Sequence, residues 1–225
     1  MQVRNLKHGG AKLFGFFKSY RKLETYEVTG SREILVQSAR LLFVDDEEIP
    51  LIQQLKNAGF AVDHDRTGAE FESQVVGQIY DVAILDYTGV GEGYGSDQGL
   101  DVLKYIRRVS PRTRIIAYTS RAITSKESDF FRLADRVLQK DAGRRESLEC
   151  VEEQVQKSHS KSHLFEAMMK KLELSASGDR ELLLKEVEKA LSKKDESSLR
   201  LALKSVAGTA AEKSVEILLN KMFID

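Results

Sequence analysis

From Ala39 to about Lys157, short unbroken apolar runs alternate with stretches in which apolar positions return every three or four residues. Leu41-Leu42-Phe43-Val44 predicts a buried strand. Ile49, Ile52 and Leu55 predict a helix after it, stopped by Asn57-Ala58-Gly59. Phe60-Ala61-Val62 predicts a second strand, followed by a helix with Phe71 and Val75. Val82-Ala83-Ile84-Leu85 is a third run, and Leu100, Leu103, Ile106 and Val109 recur at helical spacing until Pro111. Ile115-Ile116-Ala117-Tyr118 and Val137-Leu138-Gln139 complete five strands, with Phe130, Phe131 and Leu133 between them and Leu148, Val151 and Val155 after. Strands apolar throughout and separated by helices predict an α/β fold, a doubly wound five-stranded parallel sheet covered on both faces.

Beyond Gln156 the periodicity is helical only. The helix with Leu148 and Val155 is expected to run on through Leu164, Met168 and Leu172 until Ser175–Gly178. Further helices carry Leu183, Val187 and Leu191, then Leu199, Leu203 and Val206 up to Gly208, then Ala211, Val215, Leu218 and Met222. The last opens with Thr209-x-x-Glu212, a capping-box spacing. At the other end, residues 1–23 hold basic residues and no acidic one, with Leu13, Phe14, Phe16, Phe17 and Tyr20 among them. A basic amphipathic helix is expected there. It fits a membrane surface, although docking of the aromatic face on the rest of the protein is the favoured reading. Thr25–Val36 reads as two extended runs around Thr29-Gly30-Ser31, a hairpin pattern. The division is thus 1–38 as an N-terminal extension, 39–157 as the α/β domain and 158–225 as a helical region, with Ser158–Ser162 as a linker-like stretch.

Composition narrows the function classes. Lys and Arg number 35 and Asp and Glu also 35, so no whole-chain field favours nucleic acid or an anionic membrane. Apolar residues are 41% and charged residues 31%, a globular mixture rather than a disordered or membrane one. Cys150 is the single cysteine, which excludes an internal disulfide and fits a reducing, cytoplasmic setting.

In an open parallel sheet the reactive groups gather at the carboxyl ends of the strands. Those ends carry Asp45 and Asp46, Asp86, Thr119 and Lys140. Three neighbouring carboxylates repel one another unless a cation or a proton stands between them. Oxygen ligands without His or Cys suit Mg²⁺. Such an ion would neutralise charge on a phosphoryl group arriving at a carboxylate, with Lys140 pairing an oxygen and Thr119 donating a hydrogen bond.

The pattern resembles the receiver domain of two-component response regulators. The resemblance is carried by Leu42-Phe43-Val44-Asp45-Asp46-Glu47-Glu48, Val82-Ala83-Ile84-Leu85-Asp86, Ile115-Ile116-Ala117-Tyr118-Thr119-Ser120 and Val137-Leu138-Gln139-Lys140, in that order on successive strand ends. It implies that Asp86 accepts a phosphoryl group from a histidine kinase or phosphotransfer protein. It implies Mg²⁺ on Asp46, Asp86 and the backbone carbonyl of Thr88, with Asp45 binding directly or through water. Thr119 and Lys140 would sense the phosphate, and the protein would be a switch rather than an enzyme of turnover. Three features depart from the family pattern: Asp141 where proline usually follows the lysine, Val137 where an aromatic is usual, and a long glycine-rich loop after Asp86.

That loop, residues 87–99, fails the dinucleotide fingerprint in every frame and is expected to be a flap beside the site. His159 and His163 stand four apart and are expected on a solvated face, without a role. Over residues 151–225 basic and acidic residues balance at 13 each, which argues against a DNA-binding output and for homodimerisation or partner docking. A phosphorylation-controlled DNA-binding regulator is the alternative, and a Mg²⁺-dependent enzyme acting on a soluble phosphate ester a third reading.

Overall fold

The computed structural model describes residues 20–26, 31–68, 72–77, 79–91, 93–120, 128–173 and 177–223. The expected basic helix before Tyr20 and the turn at 27–30 lie outside them, as do the Thr209 and Glu212 side chains.

Among the described residues five parallel strands form one sheet: β1 (Arg40–Val44), β2 (Ala61–Asp65), β3 (Val82–Leu85), β4 (Arg114–Thr119) and β5 (Arg136–Gln139). Their spatial order is β2-β1-β3-β4-β5, the doubly wound flavodoxin-like order. Successive side chains point to opposite faces of a strand, so each strand feeds two cores. Leu41, Phe43, Val82, Ile84, Ile116 and Tyr118 pack in one core with Leu35, Leu55, Val151 and Val155. Leu42, Val44, Ala83, Leu85, Ile115 and Ala117 pack in the other with Val75, Leu103, Ile106 and Phe130. Burial on both faces is why these strands show no polar alternation.

The covering helices are α1 (Arg32–Ser38), α2 (Pro50–Asn57), α3 (Glu72–Val76), α4 (Gly99–Val109), α5 (Ser128–Leu133) and α6 (Arg144–Ser158). Helix α2 begins with proline at its first position and ends in a Schellman turn. There Gly59 takes φ 101° while Gly59 N donates to Lys56 O and Phe60 N to Leu55 O.

A separate helical core holds α7 (Lys161–Lys171), α8 (Ser177–Lys193), α9 (Glu196–Ser214) and α10 (Glu216–Phe223). Helix α9 carries a kink at Gly208, with φ 82° and ψ 168°. Leu164, Met168, Leu183, Val187, Leu199, Leu203, Leu218 and Met222 fill this core, and Leu23 enters it from the start of the chain.

Three expectations are corrected. Leu23–Thr25 is a 3-10 turn and Arg32–Ser38 an α-helix, so the described part of Thr25–Val36 is not a hairpin. Leu35 and Val36 are buried in one sheet core, which gives the segment an amphipathic partner that a local reading lacks. The helix with Val155 does not run on: α6 stops at Ser158, and Ser160 caps a new helix by accepting from His163 N at 3.3 Å. Finally, Ser158–Ser162 is no solvated linker, since Ser158 and Lys161 are buried. Leu23, from the N-terminal extension, packs in the helical core.

Candidate functional site

Parallel pairing brings the carboxyl ends of β1, β3, β4 and β5 to one edge, with Val44 opposite Leu85, Leu85 opposite Ala117 and Thr119 opposite Gln139. The residues just past those ends meet there. Oxygen atoms of Asp45, Asp46 and Asp86 all lie within 4.8 Å of one another. Lys140 Nζ is 2.8 Å from Asp45 Oδ2 and 3.0 Å from Asp86 Oδ2, with Glu47 Oε2 at 3.7 Å. Thr119 is buried beside them, and Lys140 N donates to Thr119 O at 2.7 Å. Thr88 stands two residues beyond Asp86 in the same loop. All the residues singled out at strand ends therefore share one edge of the sheet.

Local contacts fix this geometry. Glu47 N donates to Asp45 Oδ1 at 3.0 Å, and Tyr87 N donates to Asp86 Oδ1 at 2.7 Å. The ring of His64 on β2 contacts Asp45 O at 2.8 Å. Gly89 adopts φ +75°, and a Cβ there would lie 2.4 Å from Asp46 Oδ2. Glycine is thus the residue that lets the loop approach this carboxylate.

Burial raises the Asp86 carboxyl pKa; the Lys140 ammonium offsets part of the rise and Asp45 adds to it. For Lys140, burial alone would lower the pKa, but hydrogen bonds and charge from Asp86 and Asp45 win and raise it. Lys140 therefore remains an ammonium at neutral pH. Asp45 is fully buried and Asp86 nearly so, whereas Asp46 is exposed and open to an incoming ion. A cluster of hard carboxylate oxygens at this spacing suits a divalent cation of the Mg²⁺ type.

The glycine-rich loop stands next to this edge and borders a cavity of about 320 Å³ lined by Gly89, Val90, Gly91, Gly95 and Gln98. Gly91 N donates to Thr67 O and Gly99 N to Tyr87 O, so these amides serve the loop's own fold rather than a phosphate cradle. The loop is held at Tyr94, whose ring packs 5.1 Å from that of Tyr105.

The strand order, with this constellation at its carboxyl edge, decides the fold. It is the flavodoxin-like fold that receiver domains share. No protein-family model and no curated protein matches the sequence. Solved structures resemble its fold. A CheY-like response regulator receiver domain protein from Methanospirillum hungatei JF-1 is 21% identical, over 53% of this chain and 95% of that one, with a TM-score of 0.46. The signal receiver domain of an HD domain-containing protein from Pseudomonas fluorescens Pf-5 is 18% identical over 56% and 93%, with a TM-score of 0.49. A two-component response regulator from Clostridium difficile is 18% identical over 53% and 97%, with a TM-score of 0.46.

One of the departures read from the sequence, Val137, is visible in the α/β domain. Val137 leaves β5 without an aromatic side chain at that position, and Tyr118 instead lies with its ring centroid 5.6 Å from Lys140 Nζ. Tyr87, directly after Asp86, packs edge-on against Phe130 at 5.4 Å, and Phe130 against Phe131. Among the described residues no helix is long and apolar enough to cross a membrane.

The histidines overturn the expectation of a solvated face. Both are largely buried: His159 Nε2 lies 3.4 Å from Asp81 Oδ1, and His163 Nε2 is 2.7 Å from Arg112 O. The sequence reading missed this second cluster because Asp81 and Arg112 stand just before strands, where charged residues usually face water.

Proposed function

We propose that this receiver domain is a phosphorylation switch in which Asp86 accepts a phosphoryl group from a histidine kinase or phosphotransfer protein. The observation that carries the reading is the convergence of three carboxylates within 4.8 Å on a lysine that touches two of them.

Asp46, Asp86 and the Thr88 carbonyl would hold Mg²⁺, with Asp45 beside them. Bound there, the ion supplies charge neutralisation on phosphoryl oxygens. An Asp86 carboxylate oxygen attacks phosphorus, the bond to the donor's leaving group breaks, and the group stays as an acyl phosphate. Lys140, already 3.0 Å from Asp86, pairs the added negative charge. Thr119, tied through its carbonyl to the Lys140 amide, donates its hydroxyl to the same group. The outcome is a shift between two arrangements of the domain rather than turnover. We read the helical region as the part whose self-association or partner docking that shift alters.

The test is incubation with Mg²⁺ and acetyl phosphate, read by mass spectrometry. A gain of one phosphoryl group that needs Mg²⁺ and is absent in Asp86→Asn is expected. No gain in the parent protein, or an undiminished gain in Asp86→Asn, rejects the reading. Size-exclusion chromatography of the same samples reads the change in association.

A further inference from the structure

The helical core and the two sheet cores are separate clusters, and what joins them includes a set of charges at the amino edge of the sheet, with Asp81 and Arg112 buried and His159 and Lys221 largely so. Asp81 immediately precedes β3 and Arg112 stands two residues before β4, at the opposite end of these strands from Asp86 and Thr119. Both side chains are inaccessible to solvent, and Arg112 Nη1 lies 2.7 Å from Asp81 Oδ1. The same oxygen receives Lys221 Nζ of α10 at 2.9 Å, across 140 residues of sequence. His159, at the end of α6, brings Nε2 to 3.3 Å from Lys221 Nζ. From α7, His163 and Lys171 reach the Arg112 and Val109 carbonyls. We infer that Asp81, Arg112, His159 and Lys221 form an acid-sensitive latch that holds the helical domain on the receiver domain.

The hydrogen bonding assigns the ring's state. His159 Nδ1 lies 3.0 Å from the Val155 carbonyl, which only accepts, so Nδ1 carries the proton. In the neutral ring Nε2 then has a lone pair and accepts from the Lys221 ammonium. With a neutral ring the cluster sets two cations against one carboxylate. A second proton on His159 puts a third cation into the same buried space and turns the Nε2 lone pair into a donor facing an ammonium. Asp81, 3.4 Å away, recovers part of this cost, but its Oδ1 already serves Arg112 and Lys221, and its Oδ2 accepts from Arg40 N. Burial lowers the His159 pKa, as expected of a ring held neutral. His163 is a control: protonation at Nδ1 leaves its Nε2–H on the Arg112 carbonyl. Nothing in the latch depends on Asp86 taking phosphate.

The test uses the full chain without metal or phosphodonor, at pH 8 and pH 5. Small-angle scattering is expected to show one compact particle at pH 8 and a larger radius of gyration at pH 5. Calorimetry is expected to show one transition that splits into two. His159→Gln, which keeps a neutral side chain at both pH values, should stay compact with a single transition, while His163→Gln should still open in acid. Lys221→Gln gives an independent reading if His159→Gln does not fold, because it removes the opposing cation and should blunt the acid opening. Equal compactness and a single transition at both pH values in the parent overturn the inference. So does acid opening undiminished in both His159→Gln and Lys221→Gln.

Discussion

Lys140 Nζ stands 3.0 Å from Asp86 Oδ2, and the same ammonium is 2.8 Å from Asp45 Oδ2, so one cation holds two carboxylates together. Lys140→Met leaves them facing each other. Without metal the variant should lose roughly 2–3 kcal/mol, less than the ~3–5 kcal/mol of a fully buried broken pair because Asp86 can take up a proton. Added Mg²⁺ should then stabilise the variant more than the parent. Thermal unfolding with and without Mg²⁺ reads both effects, and equal Mg²⁺ shifts in the two proteins contradict the shared-cation account.

Gly89 and Gly93 separate backbone strain from site geometry. Both have positive φ, but a Cβ at Gly89 strikes Asp46, whereas one at Gly93 meets nothing within 4 Å. Each change to alanine should cost about 1–2 kcal/mol for the left-handed conformation. Only Gly89→Ala should also weaken Mg²⁺-dependent stabilisation, by displacing the Asp46 carboxylate. Parallel Mg²⁺ titrations of the two variants provide the check.

Stability should fall towards acid in two steps. Burial holds the His159 and His163 pKa values below the usual 6.5, so the unfolded chain binds their protons first. Their contribution is whole above about 6.5 and is lost as pH falls from there. Arg112, Lys221 and His159 outweigh burial and bring Asp81 from 3.8 to about 2. Its contribution of roughly 2 kcal/mol is full above 3.8 and disappears as pH drops to about 2. Urea unfolding across pH should show both steps. The upper one should flatten in the His159→Gln, His163→Gln double variant.

Leu23 tests how the chain is divided. It is 2% exposed inside the helical core, so Leu23→Ala should cost about 2–5 kcal/mol. Ile34, on α1 and 57% exposed, should tolerate alanine within about 0.5 kcal/mol. Denaturant midpoints for the pair decide it; equal costs would detach Leu23 from the core.

The sheet was legible because Val82–Leu85 and its neighbours are covered on both faces, which leaves unbroken apolar runs between polar turns. The site was legible for a related reason: parallel strands put their carboxyl ends together, so Asp45, Asp86, Thr119 and Lys140 could be gathered without knowing any distance. Helix α1 and the break at His159 were not. Arg32–Ser38 is short, and its apolar residues find their partners on α6 and the sheet rather than nearby in sequence. At the break, apolar spacing runs on from Val155 to Leu164 while the capping signal rests on Ser160 alone. Asp81 and Lys221 were hidden by distance along the chain, since neither residue type announces burial by itself.

Leu23 and Met222 share one core although the whole α/β sheet lies between them in sequence. In topology the sheet is an insert within the helical module. During synthesis Leu23 emerges long before α7 to α10, so its place in the helical core can be filled only after every strand of the sheet has been made. Such distant pairing slows assembly, and the late step should govern how quickly the whole chain refolds after dilution from denaturant.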